Sequence, residues 1–61
     1  MSTLAAGRRE RVLVIDGDAV VRRDLQAWLA EDTRLEPVGA ARSVHTALEK
    51  LPFHRPDVVV L

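Results

Sequence analysis

Two short runs of consecutive apolar residues constrain this chain more than any other feature. The runs are Val12 to Ile15 and Val58 to Leu61, and most of their residues are β-branched valine or isoleucine. A half-exposed strand alternates apolar and polar residues, whereas an unbroken apolar run is typical of a strand buried on both faces of a parallel sheet. Both runs therefore predict parallel strands covered by helices.

An amphipathic helix is predicted after the first run. Its apolar residues recur at helical spacing and are Val21, Leu25, Trp28 and Leu29. Asp18 precedes them as a candidate N-cap, whose carboxylate also complements the helix dipole. We expect the helix to end between residues 31 and 33, and we expect Trp28 to close the core.

A second strand and a second helix follow. Residues 35 to 38 form a short extended segment in which Pro37 cannot donate a backbone hydrogen bond, which favours an edge strand. Ser43 offers an N-cap, and Pro52 is expected to stop the helix. Its apolar stripe comprises Val44, Ala47, Leu48 and Leu51. The order strand, helix, strand, helix, strand predicts a doubly wound parallel α/β sheet with the first strand in the centre.

Composition excludes several classes of protein. The 61 residues carry nine basic and nine acidic side chains, so no overall field attracts nucleic acid or an anionic membrane. Cysteine is absent, which excludes disulfides and thiolate zinc sites. No stretch is long and apolar enough for a membrane span or secretory signal, so a cytoplasmic location is expected. Residues 1–10 lack periodicity and are predicted to be a disordered leader before a domain over residues 11–61.

The motifs resemble one family. VLVIDGDAVVRRDL, residues 12 to 25, resembles the opening of response-regulator receiver domains, which is an apolar strand, two or three acids and V-R-x-x-L. EPVGAA, residues 36 to 41, resembles the family's second strand, and Ala47-Leu48 its E-A-L. PDVVVL, residues 56 to 61, resembles the P-D-V-V-L-L that precedes the phosphoacceptor aspartate. The resemblance spans about fifty residues and is greatest to receivers with a C-terminal helix-turn-helix output domain.

This resemblance implies a flavodoxin-like fold, of which residues 11–61 would be the first half, truncated before the phosphoacceptor position. It implies phosphorelay signal transduction in a two-component system, within a transcriptional regulator. A sensor histidine kinase would be the partner, a homodimer the candidate assembly, and DNA would be contacted only through an output domain outside this chain. Membrane contact and enzymatic activity are not expected.

The same resemblance implies a magnesium site beyond the ends of the strands. Asp16 and Asp18 are the candidate ligands, because Mg²⁺ prefers carboxylates and water. Gly17 stands where the family usually supplies the carboxylate that contacts the metal directly. A glycine has no side chain to offer, so we expect Mg²⁺ binding to be weakened.

Two alternatives remain open. Asp16-Gly17-Asp18-Ala19-Val20 also resembles the D-x-D-x-T/V signature of haloacid-dehalogenase-type phosphatases, with Asp16 as nucleophile and Asp18 as general acid. Those enzymes usually continue into a hairpin flap, whereas an amphipathic helix is predicted here. The second alternative is a generic Rossmann-like fragment whose acids serve only as caps.

Overall fold

The computed structural model describes residues 8–61. The first seven residues of the expected disordered leader lie outside the described residues. At its other end the leader is shorter than predicted, because Glu10 already belongs to the first strand. Within residues 8–61, no helix is long and apolar enough to cross a membrane.

Strands and helices alternate as predicted. They are β1 (Glu10–Ile15), α1 (Ala19–Ala30), β2 (Leu35–Ala41), α2 (Val44–His54) and β3 (Val58–Val60). The three strands form one parallel sheet in the order β2-β1-β3. The prediction of a half-complete flavodoxin-like sheet with β1 in the centre is confirmed.

The central strand supplies most of the core. All four residues from Val12 to Ile15 are buried, and Leu13 and Val14 are completely inaccessible to solvent. Ala41 and Ala47 are the other buried apolar residues of the described chain, from β2 and α2. The unbroken apolar run of β1 is thus explained by strands on both sides and helices above and below.

The edge strand β2 is longer and less regular than predicted. Val12 pairs with Pro37 whereas Leu13 pairs with Gly39, so Val38 is an extra residue in the ladder. Such a bulge bends a strand locally. Gly39 lies directly under the His54 ring, where a Cβ atom on this residue would be only 3.0 Å from Nε2. A glycine is needed here for close approach.

Helix α1 begins after Asp18 as predicted and ends at Ala30, just before the predicted range, but the expected role of Trp28 is wrong. Its side chain is 68% exposed, whereas Leu25 and Leu29 are half-buried. Consecutive residues of a helix are about 100° apart, so Trp28 and Leu29 cannot face the same narrow strip of sheet. Trp28 lies beside the helix face that packs on the sheet, and its side chain faces solvent.

Helix α2 does not stop at Pro52, contrary to prediction. It continues to His54 and ends at Arg55, whose left-handed backbone (φ 46°) donates from its N–H to the Leu51 carbonyl at 2.8 Å. Proline removes one helical hydrogen bond but leaves the following turn able to close in this way. The expected apolar stripe is also narrower, because Leu48 is 59% exposed.

Candidate functional site

An acidic loop connects β1 to α1 at the carboxyl edge of the sheet. Asp16 follows Ile15, and its N–H donates to the Ala41 carbonyl at 3.0 Å. This bond continues the ladder between β1 and β2 beyond the end of β1. The backbone of Asp16 is therefore held by the sheet, while its side chain lies at the start of the loop.

The Asp16 carboxylate organises the loop. Its Oδ1 accepts a hydrogen bond from the Asp18 N–H at 2.9 Å, which closes a local turn around Gly17. Within residues 8–61, Oδ2 accepts no hydrogen bond. One oxygen of this carboxylate thus has a structural role and the other is available for a ligand.

Asp18 caps α1 as predicted. Its Oδ1 accepts from Val20 N–H at 2.8 Å and from Val21 N–H at 3.2 Å, and its backbone is extended as an N-cap requires. The capping carboxylate is exposed to solvent. Its Oδ2 is also without a hydrogen bond within the described part of the chain.

Gly17 lies between the two acids and is exposed. A side-chain carbon at this position would meet only the Arg42 carbonyl oxygen, at 3.9 Å, which is an ordinary contact. Its backbone is also outside the left-handed region. The loop therefore does not require glycine at this position, and a larger residue can be introduced.

The structure brings Asp16 and Asp18 together in one loop, as the sequence predicts. Among residues 8–61 there is no group of three acidic, histidine or cysteine side chains that could hold a metal ion. Two carboxylates separated by a glycine are the donor set that this part of the chain offers. Magnesium binding stays a prediction.

Arg22 belongs to this region, although the sequence analysis did not place it in the site. Its Nη1 donates to the Asp16 carbonyl at 2.7 Å, across the first turn of α1. The signal in the sequence was its position four residues after the N-cap Asp18, where a helical side chain lies back over the preceding loop.

Strand β3 pairs with β1 in parallel. Val12 pairs with Val58, Leu13 with Val59, and Val14 with Val60. The carboxyl ends of β1 and β3 thus share one edge of the sheet, where open α/β sheets bind ligands.

Curated relatives match most of the chain. A protein-glutamate methylesterase/protein-glutamine glutaminase from Geobacillus kaustophilus is 47% identical over 51 residues, 84% of this chain and 15% of the relative. An Anaeromyxobacter dehalogenans protein of the same name is 43% identical over 56 residues, 92% of this chain and 16% of the relative. The DNA-binding transcriptional activator DevR/DosR from Mycobacterium tuberculosis is 45% identical over 51 residues, 84% of this chain and 24% of the relative. No protein-family model and no solved structure matches the chain.

These relatives correct one prediction. Enzymatic activity was not expected, yet two of the three relatives are named as enzymes. The chain spans only about a sixth of their length. The prediction was wrong because it was made from the segment alone, whereas the name of a relative describes a much longer protein.

The alternative of a phosphatase fragment is not supported. Asp18, its proposed general acid, caps a twelve-residue helix that follows the acidic loop directly. The relatives described above are methylesterases and a transcriptional activator. With the order β2-β1-β3 and the acidic loop at the end of β1, these matches show that the chain belongs to the receiver-domain family of response regulators and is a phosphorelay receiver module.

Proposed function

We propose that this module accepts a phosphoryl group from a sensor histidine kinase at the residue that follows Leu61. The supporting observation is the register of β3 on β1, which pairs Val14 with Val60. If this register continued by two positions, the residue after Leu61 would lie beside Asp16. Neighbouring strands lie about 5 Å apart, so the acceptor and the acidic loop would occupy the same small region.

We further propose that Asp16 and Asp18 hold Mg²⁺ there. The donor set fits this ion, which usually takes one or two carboxylates and keeps its other positions for water and phosphate oxygens. Each carboxylate uses Oδ1 in its local turn, so Oδ2 would be the oxygen that contacts the ion. When bound, the ion would neutralise charge on the transferring phosphoryl oxygens.

The residues of this chain would act mainly by position. The sheet holds the Asp16 backbone through Ala41, and the turn to Asp18 fixes the direction of the Asp16 carboxylate. Gly17 contributes no ligand, so affinity for Mg²⁺ would be lower than in a receiver with an acid at this position. Exchange of the ion should then be fast.

For the whole protein we propose a hydrolase that acts on protein glutamate methyl esters and glutamine amides, with this module as its regulatory part. The names of the Geobacillus and Anaeromyxobacter relatives support this output. The Mycobacterium relative supports a second candidate, a DNA-binding output outside the matched segment, with a homodimer to read a two-fold site. Either output would act in the cytoplasm.

The test is phosphorylation of the full-length protein with acetyl phosphate and MgCl₂, followed by intact mass and peptide mapping. We expect one phosphoryl group on the residue after Leu61. Asp16→Asn should slow its incorporation by about tenfold or more, because a metal ligand is lost. Glu31→Gln, which removes an exposed acid at the other end of α1, should leave the rate unchanged.

Two results would contradict the proposal. One is a phosphoryl group that maps to another residue, and the other is equal loss of rate in Asp16→Asn and Glu31→Gln. The output is decided separately, by comparing hydrolysis of a glutamate methyl ester in a peptide and binding to DNA, each before and after phosphorylation.

A further inference from the structure

A cleft of about 370 Å³ opens where the end of β2 passes between α1 and α2. Arg22 lines it from α1, Arg42 from the loop that follows β2, and Lys50 from α2. We call it the basic cleft. Because β2 is an edge strand, no further strand of the described sheet covers this side.

The distribution of ion pairs singles out these three cations. Within residues 8–61, five of the nine Lys and Arg side chains lie within 4 Å of a carboxylate, and they are Arg8, Arg9, Arg11, Arg23 and Arg34. The four others in this part of the chain are Arg22, Arg42, Lys50 and Arg55. Three of these four line the basic cleft. A chain with no net charge thus has a local excess of positive charge here.

Two of the cations are held in place by neutral groups. Arg22 Nη1 donates to the Asp16 carbonyl at 2.7 Å, and Lys50 Nζ donates to the Ala40 carbonyl at 2.8 Å. A backbone carbonyl fixes a side chain without cancelling its charge. A guanidinium has five N–H donors and an ammonium has three, so both groups keep donors for a ligand.

One acid also lines the cleft and must be counted. Glu49 lies with its Oε2 3.8 Å from His45 Nε2, and its side chain is 68% exposed. Thr46 adds a hydroxyl, which accepts from Ser43 Oγ at 3.1 Å. Three positive groups against one solvated negative group leave the cleft basic.

We infer that the basic cleft binds a soluble oxyanion of the phosphate class that carries at least two negative charges. Cationic residues from α1, from the loop after β2 and from α2 line one space large enough for a few phosphate oxygens, and guanidinium groups can contact two such oxygens at once. This site is separate from the proposed acceptor and needs no Mg²⁺. Arg22 connects the two regions, because it also holds the Asp16 carbonyl.

The experiment titrates the full-length protein with sodium pyrophosphate in the presence of EDTA, and follows backbone amide shifts by NMR. We expect saturable shifts around residues 22, 42 and 50, weakened by added NaCl. Arg42→Gln should weaken binding about tenfold, the cost of one charge-assisted hydrogen bond. Lys50→Gln should do the same, and far-UV circular dichroism would verify that both variants are folded.

Arg23→Gln is the matched control, because Arg23 neighbours Arg22 on α1 but lies 3.4 Å from Asp24 and is 75% exposed. Its affinity for pyrophosphate should change less than about twofold. Equal weakening in Arg23→Gln, or no saturable shift, would overturn the inference. So would capture by phosphatidylglycerol vesicles without a response to pyrophosphate, which would indicate a lipid surface. Because no phosphodonor is present, none of these outcomes bears on the proposed phosphorylation.

Discussion

Arg11 donates from Nη2 to the His54 carbonyl at 2.7 Å, and so connects β1 to the last turn of α2. Its Nε lies 3.2 Å from the same carbonyl and 3.3 Å from that of Arg55. The last carbonyls of a helix have no partner within it, and a cation there also complements the helix dipole. The Arg55 N–H already closes the helix on the Leu51 carbonyl, and Arg11 adds a side-chain partner for the His54 and Arg55 carbonyls that follow.

Replacing Arg11 should destabilise the fold. We expect Arg11→Met, which keeps the aliphatic stem, to lower the free energy of unfolding of the full-length protein by about 1–2 kcal/mol in urea denaturation. Arg9→Met is the matched control, because Arg9 forms only an exposed 3.8 Å pair with Glu36 and such pairs contribute little. An equal loss in both variants would show that the α2 carbonyls are not the important partners.

Gly39 and His54 should be energetically coupled. A methyl group at Gly39 would lie 3.0 to 3.2 Å from three atoms of the His54 ring, so Gly39→Ala should cost about 1 kcal/mol or more through overpacking. In a His54→Ala background the same change should cost much less. A double-mutant cycle from urea denaturation measures this difference. Additive effects would mean that the ring moves aside freely.

The two roles of Asp18 can be separated by substitution. Asp18→Ala should lower stability by about 1 kcal/mol, because the N–H groups of Val20 and Val21 lose their acceptor. Asp18→Asn should keep nearly full stability, since an amide oxygen also caps a helix, but should weaken Mg²⁺ binding. Thermal denaturation and calorimetric titration with MgCl₂ measure the two properties. If Asp18→Asn does not change the affinity for Mg²⁺, Asp18 acts only as a helix cap.

Local chemistry explains what could be predicted. The buried strand β1 and the caps at Asp18 and Ser43 depend on a few neighbouring residues, and the structure has them where the sequence indicated. The acidic loop was found for the same reason, because a buried strand that ends in Asp-Gly-Asp places both carboxylates at one edge of the sheet.

The remaining features depend on distant partners. Trp28 and Leu48 fit the apolar spacing of their helices. A three-stranded sheet covers only a narrow strip of each helix, so both side chains are exposed. Similarly, the Arg11 cap on α2 joins residues more than forty positions apart. Pro52 was misjudged because the turn that follows it closes at Arg55, and Arg11 of β1 contacts the His54 and Arg55 carbonyls of that turn.

The ion pair between Arg34 and Asp32 should make the stability of the fold depend on pH. Arg34 donates to Asp32 from Nη2 at 2.9 Å, from Nε at 3.1 Å and from its backbone N–H at 2.9 Å. These bonds, the side-chain ones foremost, lower the pKa of Asp32 from 3.8 to about 2. A lowered pKa stabilises the fold above pH 4, and this contribution is lost as the pH falls toward 2. It should be small, because the pair is exposed to solvent.

NMR titration of the Asp32 carboxyl carbon checks this directly. In Arg34→Gln the pKa should rise toward 3.8, because only the backbone hydrogen bond and a weaker side-chain donor remain. Arg23→Gln, which alters another exposed pair, should leave the pKa of Asp32 unchanged. A pKa near 3.8 in the unaltered protein would show that the pair does not persist in solution.

Gly17→Asp tests whether the glycine limits the proposed magnesium site. The loop has room, because a side-chain carbon at Gly17 meets only the Arg42 carbonyl, at 3.9 Å, and the backbone conformation suits any residue. A third carboxylate between Asp16 and Asp18 should tighten Mg²⁺ binding by about tenfold, measured by calorimetric titration of the full-length protein. Gly17→Asn is the control, since it adds a side chain of the same size without charge. If both variants bind Mg²⁺ as the unaltered protein does, the metal is not held by this loop; if both tighten it equally, rigidity of the turn and not charge is the cause.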